Sequence, residues 1–409
     1  FRVRKFMKLF KSLLVAPAAL GLLAPMTATA NELNITEVSG YSSSEEIQSI
    51  NDFNAAEQLA VTNSRVDGLE ARLNNFEAGS FSETTTASFS VDFAIGAVDG
   101  LGITSTETDG NEAITANYGF QIDLNTSFTG EDSLDVSIDA GNGVATQSGT
   151  KSQGISFATS LSEFDLNGGS DGLTVDGVSY TFPLGDSITA IVGDNTDGSA
   201  LFTTACAYGG PSNTLDDCGN VNAGITNGGA MVGASYDFGS GFTAAIGYAG
   251  DETSLMTKEG VDAYGANIAY TADTYGVSVT YGQLERSTTE DSYTALNAYY
   301  LFDNGMSISA GYEVGSLGDK AASVDETLAY FVGVEFGEVG PGTFGAAAGT
   351  KGSLTEVASN ITEEMMYEAY YSYPVNDGMT ITPLLYLKEN ATAGTPDETG
   401  MMVKTSFSF

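Results

Sequence analysis

The side chains able to do chemistry in this chain are almost all carboxylates. Among 409 residues, 53 are acidic and 14 basic, a formal net charge of −39, and histidine is absent. Without imidazole a serine or cysteine nucleophile lacks its usual base, and His-bound metals are excluded too, which argues against an enzyme. Phosphate recognition needs clustered Lys and Arg, so nucleic acid is not expected as a partner. No basic residue stands between Lys151 and Lys258, whereas Asp186, Asp194, Asp197, Asp216 and Asp217 all fall in that interval. The run Asp194-Asn195-Thr196-Asp197-Gly198 has the outline of a calcium loop but lacks the distal Glu of an EF-hand, and no metal or cofactor is predicted from it. Carboxylates without accompanying cations suit a passage that favours cations. For any single Asp, a solvated loop position is the plainer alternative.

The elements that would position these groups are strands. Fifty glycines, 20 tyrosines and 22 phenylalanines beside only 8 prolines suit many strands joined by turns. From Phe89 onward apolar residues recur at every second position. Phe89, Val91, Phe93 and Ile95 alternate with Ser88, Ser90, Asp92 and Ala94. Phe120, Ile122 and Leu124 alternate with Asn117, Gln121 and Asp123, and Leu134, Val136 and Ile138 with Asp135 and Asp139. Further strands are expected near 172–184, 186–194, 228–238, 241–249, 262–272, 274–284, 291–302, 305–314, 325–337, 342–350, 362–375, 378–388 and 400–409, about sixteen in all. Short turns at Thr129-Gly130, Gly185-Asp186, Gly239-Ser240-Gly241, Asp303-Asn304-Gly305 and Asn376-Asp377-Gly378 alternate with longer connections. A soluble sandwich has no reason to alternate so. A transmembrane antiparallel β-barrel does, and a mean hydropathy of −0.01 fits its two-faced strands. In that fold Phe89, Phe120 and Phe407 face lipid, while Asp92, Asn117, Gln121, Asp123, Asp135 and Asp139 line the lumen.

The start and end of the chain point to export and membrane assembly. Residues 1–30 read as a signal peptide, with 1–6 lying upstream of Met7, then Lys8 and Lys11, a short apolar stretch, and Ala28-Thr29-Ala30 as the cleavage site. The stretch is too short and interrupted to be a membrane anchor. Residues 31–80 read as a periplasmic linker followed by a helical neck, and 81–409 as the barrel. In the neck Leu59, Val66, Leu69, Leu73 and Phe76 form a heptad seam. Two arrangements fit it: a short coiled coil between subunits, or one amphipathic helix packed on its own barrel. The final strand alternates Met401, Val403, Thr405, Phe407 and Phe409, and a closing Phe409 resembles the signal read by the barrel-assembly machinery.

The leader MKLFKSLLVAPAALGLLAPM, the SSSEE segment, the RVDGLEARL neck, SYTFPLGDSITAIVGD and ACAYGGPSNTLDDCG together resemble the porins of marine unicellular cyanobacteria. The resemblance implies a homotrimeric channel for small solutes and ions in the outer membrane of a Gram-negative-type bacterium. Such porins usually carry a surface-layer-homology domain between SSSEE and the neck; the interval from Glu46 to Arg65 is too short to hold one. In sixteen-stranded porins the third surface loop folds inward, and here the corresponding connection is 194–227. Asp194, Asp197, Asp216 and Asp217 would then stand at the constriction. In an oxidising compartment Cys206 and Cys218 would pair within it, either stiffening the constriction or merely tidying an exposed loop. The basic ladder of anion-tolerant porins would have to come from Lys258, Arg286, Lys320, Lys351, Lys388 and Lys404. A surface adhesin, or a structural barrel without an open pore, is the alternative function.

Overall fold

The computed structural model of the chain describes residues 85–100, 114–142, 161–164, 166, 172–226, 229–257, 260–285, 289–318, 324–357, 360–361, 363–391 and 394–409. The signal peptide, linker and neck seam (Leu59, Val66, Leu69, Leu73, Phe76) lie outside these residues. The strands are β1 (Thr85–Asp99), β2 (Thr115–Thr126), β3 (Ser133–Gly141), β4 (Thr174–Pro183), β5 (Ile188–Asp194) and β6 (Ala230–Gly239). They continue as β7 (Phe242–Gly250), β8 (Asp262–Thr271), β9 (Tyr275–Glu285), β10 (Glu290–Leu301), β11 (Met306–Ser316) and β12 (Val324–Val339). The last are β13 (Gly342–Thr350), β14 (Leu354–Val357), β15 (Asn360–Ile361), β16 (Met365–Asn376), β17 (Met379–Lys388) and β18 (Glu398–Ser408).

Apart from β14 and β15, each strand pairs antiparallel with the next along the chain, β13 with β16, and β18 returns to pair with β1 from Ser90↔Ser408 to Asp99↔Thr399. The sheet therefore closes into a sixteen-stranded antiparallel barrel. The remaining two strands, β14 and β15, form a small hairpin within the β13–β16 connection, and β14 extends the pairing of β12. That hairpin was not expected from sequence. At the seam, Phe89 and Phe409 exchange both backbone hydrogen bonds at 3.0 Å and stack their rings 5.7 Å apart. Closure leaves no unpaired edge, which is what makes so extensive a sheet stable.

The distribution of side chains is inside out. On β9, Val277, Val279 and Tyr281 are exposed, while Ser278 and Thr280 are almost wholly buried. On β11, Ile308, Tyr312 and Val314 are exposed, and Ser309 and Glu313 are buried. Outward aromatics gather beside the short turns: Tyr236 with Phe238 at 4.6 Å, Phe242 with Tyr270 at 4.6 Å, and Tyr300 with Phe302 at 4.7 Å. Turn chemistry fixes that end. The Asp132 carboxylate accepts from the backbone N–H of Phe128 at 2.9 Å and of Thr129 at 2.7 Å, and from the Tyr180 hydroxyl at 2.7 Å. Gly130 takes φ +88°, a left-handed conformation that a side chain disfavours.

Candidate functional site

The interior is built from three arcs of wall, and two of them are covered by inward-folded chain. The connection between β5 and β6 runs along the inner wall in extended form. Its backbone N–H groups at alternate residues donate to side chains on successive strands. Thr203 donates to Asn267 (β8) at 3.0 Å, Ala205 to Ser278 (β9) at 2.8 Å, Ala207 to Ser309 (β11) at 2.9 Å and Gly209 to Glu335 (β12) at 3.1 Å. The Tyr208 hydroxyl donates to Glu368 on β16 at 2.6 Å. On the return, Asn297 Nδ2 (β10) donates to the Cys218 carbonyl at 2.8 Å. The N–H groups of Asn222 and Ala223 both donate to Glu313 Oε2 (β11), at 2.7 and 2.8 Å, and Asn222 Nδ2 to its Oε1 at 2.9 Å. Glu313 is 0 % exposed; a buried carboxylate is tolerated there because three donors surround it.

Two further features hold the segment down. Cys206 and Cys218 form a disulfide that joins its outgoing and returning limbs, with Cα atoms 6.4 Å apart. The wall beneath is glycine where the segment's backbone passes: a Cβ on Gly247 would overlap the Gly198 carbonyl, and one on Gly311 the Cys218 carbonyl. Apolar residues complete the contact. Ile225, Leu201 and Phe202 pack with Ile191, Met231 and Ala249, while Tyr208 and Leu215 pack with Phe331, Met366 and Tyr370.

The second covered arc is β17, β18 and β1, where inward positions are unexpectedly apolar: Leu384, Tyr386, Met402, Ala94 and Val98. Leu161, Phe164 and Leu166, from the connection between β3 and β4, pack onto them in one cluster. Within that segment Glu163 forms an ion pair with Lys388 of β17, and Lys404 of β18 lies 5.5 Å above the Phe164 ring. Glu163 also accepts from the Thr214 N–H at 3.3 Å and hydroxyl at 3.2 Å, so the two inward segments are joined.

The third arc, β2 to β4, carries little packed chain among the described residues; Asn195 and Thr196 approach it at Asp176 and Gly177 of β4. Its inner face is a ladder of carboxylates, amides and hydroxyls. Gln121 Nε2 and the Ser137 hydroxyl each donate to Asp123 at 2.7 Å. Asn125 Nδ2 donates to Asp135 at 2.6 Å, Ser133 to Asp135 at 2.7 Å, and Thr174 to Asp139 at 2.6 Å. Asn117 donates to the Asn142 carbonyl at 2.8 Å. Asp92 on β1 pairs with Ser406, on the inward face beside this arc. Asp176, at the irregular β3–β4 pairing, adds a carboxylate the sequence did not single out. Among the described residues the basic side chains are Lys351, Lys388 and Lys404, and none lies on β2–β4.

The four aspartates expected at a constriction separate. Asp197, Asp216 and Asp217 are exposed within the inward segment. Asp194 ends β5 opposite Val178, and it shares its face with the exposed Val192. By register it stands on the outward face at the rim, apart from the other three. The anchors Glu163, Glu313, Glu335, Glu368, Asn267 and Asn297 were not foreseen. The available signal was glycine at inward strand positions, which marks close approach of another backbone.

Solved structures with a similar architecture include bacterial porins and an outer-membrane protein. The anion-selective porin from Comamonas acidovorans superposes with a TM-score of 0.56 at 14 % identity, over 80 % of this chain and 99 % of that one. OprB of Pseudomonas putida gives 0.55 at 12 % identity, over 80 % and 94 %. A loop-deletion form of OmpT, an outer-membrane protein of Vibrio cholerae, gives 0.54 at 11 % identity, over 80 % and 99 %. The fold is that of the bacterial porins. No protein-family model matches the sequence, and no curated protein does. At this identity the likeness is one of architecture, so what passes through the barrel must be argued from its own residues.

Proposed function

We propose that the chain is an outer-membrane porin of a Gram-negative-type bacterium, passing small hydrophilic solutes and inorganic ions by diffusion with a preference for cations. The observation that carries this is the pairing of an apolar outer surface with a polar interior whose uncovered arc bears carboxylates and no cation. Exposed valine, isoleucine and aromatic side chains along the wall from β4 to β17 are stable against lipid and unfavourable against water. Inside, the free passage lies between the inward segment with Asp197, Asp216 and Asp217 and the wall with Asp92, Asp123, Asp135, Asp139 and Asp176. In a narrow, partly desolvated space such charges act more strongly than in bulk water. Lys388 offers little compensation, because its charge is paired with Glu163, and Lys404, over the Phe164 ring, offsets only the neighbouring Asp92. The anion-selective Comamonas protein has the same architecture, which makes these side chains, and not the fold, the deciding feature.

The accompanying features follow the same reading: export through residues 1–30, insertion by the barrel-assembly machinery recognising Phe409, and a homotrimer joined at the neck. An enzyme is disfavoured by the missing histidine, and no cofactor is invoked. A structural barrel without an open pore remains the second reading, favoured by the apolar cluster that two inward segments bury inside the wall. Recording purified protein in a planar bilayer under a salt gradient tests both. Stepwise currents with a cation-directed reversal potential are expected, and the preference should shrink as salt shortens the screening length. Silence in the bilayer would favour the structural barrel, and a clear anion preference would overturn the acidic passage. Leu69→Asp with Leu73→Asp should reduce the native mass from trimer to monomer while leaving the barrel folded.

A further inference from the structure

We infer that Glu163 is a positioning residue that sets the width of the passage, by clamping the segment 161–164 and the β5–β6 connection to the wall at one point. The inference rests on the porin reading and adds to it a control on aperture. Its basis is the convergence of three elements on one carboxylate. The Glu163 side chain, only 3 % exposed, pairs with Lys388 of β17 and accepts both the N–H and the hydroxyl of Thr214. The Glu163 carbonyl also accepts the Asn213 N–H at 3.0 Å, so backbone and side chain hold the same stretch of the other segment.

The clamp stands where it can matter. Thr214 directly precedes Leu215, which is buried on the wall, and Asp216 and Asp217, which are exposed. Whatever fixes Thr214 also fixes how far those two carboxylates project. Lys388 is 12 % exposed in its side chain, so its ammonium has few alternatives to Glu163 for a counter-charge. Removing one partner strands the other in a poorly hydrated place, and the cheapest relief is movement of the segment away from the wall to admit water. Removing both partners removes that drive. The inner apolar cluster of Leu161, Phe164, Leu384 and Met402 would then hold the segment by itself.

This logic predicts a pattern that a merely stabilising ion pair would not give. Glu163→Gln and Lys388→Met should each change unit conductance by about twofold and admit larger sugars in liposome-swelling assays, because conduction is set at the narrowest point. The double variant should return toward the unmodified protein in both measurements. Thr214→Val keeps both charges and loses only a hydroxyl, so it should fold readily and show a smaller change of the same kind. Each variant is checked for a folded barrel by heat-modifiable gel mobility. Equal conductance and equal sugar cut-off in all four proteins, with lower heat stability alone, would overturn the clamp and leave the porin reading standing. An unmodified protein that carries no current sinks the porin reading and the clamp together.

Discussion

The wall at β8 to β12 and the wall at β2 to β4 are built on the same alternating pattern, yet they meet opposite fates. On β8, β9, β10 and β11 the inward residues Asn267, Ser278, Asn297 and Ser309 are small, neutral and almost wholly buried, and each meets the backbone of the inward segment. On β2 and β3 the inward residues include Asp123, Asp135 and Asp139, and their hydrogen bonds go to neighbouring side chains of the same wall. The covered wall also holds carboxylates, Glu313 on β11 and Glu335 on β12, but these too accept from N–H groups of the inward segment. The contrast teaches that inward polarity alone does not identify a pore lining; whether that polarity is satisfied by packed chain does.

The largest expected effect comes from the acidic wall. Changing Asp92, Asp123, Asp135 and Asp139 together to Asn should bring the reversal potential under a salt gradient close to zero. Changing Asp197, Asp216 and Asp217 should lower it less, because the wall charges remain. If the second set proves stronger, the passage is controlled by the segment and the comparison between walls is wrong. Next in size is Glu313→Ala on the covered wall. It removes the acceptor of three donors, and each buried donor left unpaired costs about 1–3 kcal/mol. The returning limb should lift, seen as faster proteolytic cleavage near Asn222 and noisier current with the barrel intact. Reducing Cys206–Cys218 should do less, since both limbs keep their wall bonds: the noise rises and the mean conductance holds.

Smallest is an effect of pH at the turn between β2 and β3. The Asp132 carboxyl is held well below the usual carboxylate range, first by the Tyr180 hydroxyl and then by donors from Thr129 and Ser127. Because the folded pKa is depressed, its stabilisation is present above the unfolded value of 3.8 and is lost as pH falls through the folded pKa. Heat stability below about pH 4 should therefore fall less steeply in Asp132→Asn, which starts lower at neutral pH. An identical acid slope in both proteins would remove the turn from the account.

Much of the fold was legible because strands with one apolar face advertise their period. The β1 residues Phe89, Val91 and Phe93 and the β18 residues Met401, Val403 and Phe407 point outward as their alternation requires. The same alternation applied to Val192 would have put Asp194 outside. The small β14–β15 hairpin was hidden, since segments of four and two residues carry no period. The clamp was hidden for another reason. Glu163 and Lys388 are 225 positions apart, and nothing local in either neighbourhood specifies a partner. The anchors Asn267, Ser278 and Ser309 read as ordinary inward residues until a remote backbone is laid across them. Glycines such as Gly247, Gly282 and Gly311 were a local trace of that crossing.

The spacing of those anchors also has a mechanical meaning. A closed sheet one strand thick bends easily, and pressure from one side flattens its circular section into an oval. The segment from Thr203 to Ala223 is fastened to β8, β9, β10, β11, β12 and β16, and so acts as a brace across several staves of one flank. The arc from β2 to β4 is held less: among the described residues Asn195 Nδ2 donates to the Asp176 carbonyl at its β4 edge. Lateral load from the surrounding membrane would be taken up mainly there, so compression would move the acidic wall toward the stiff flank and narrow the passage without any loop having to move.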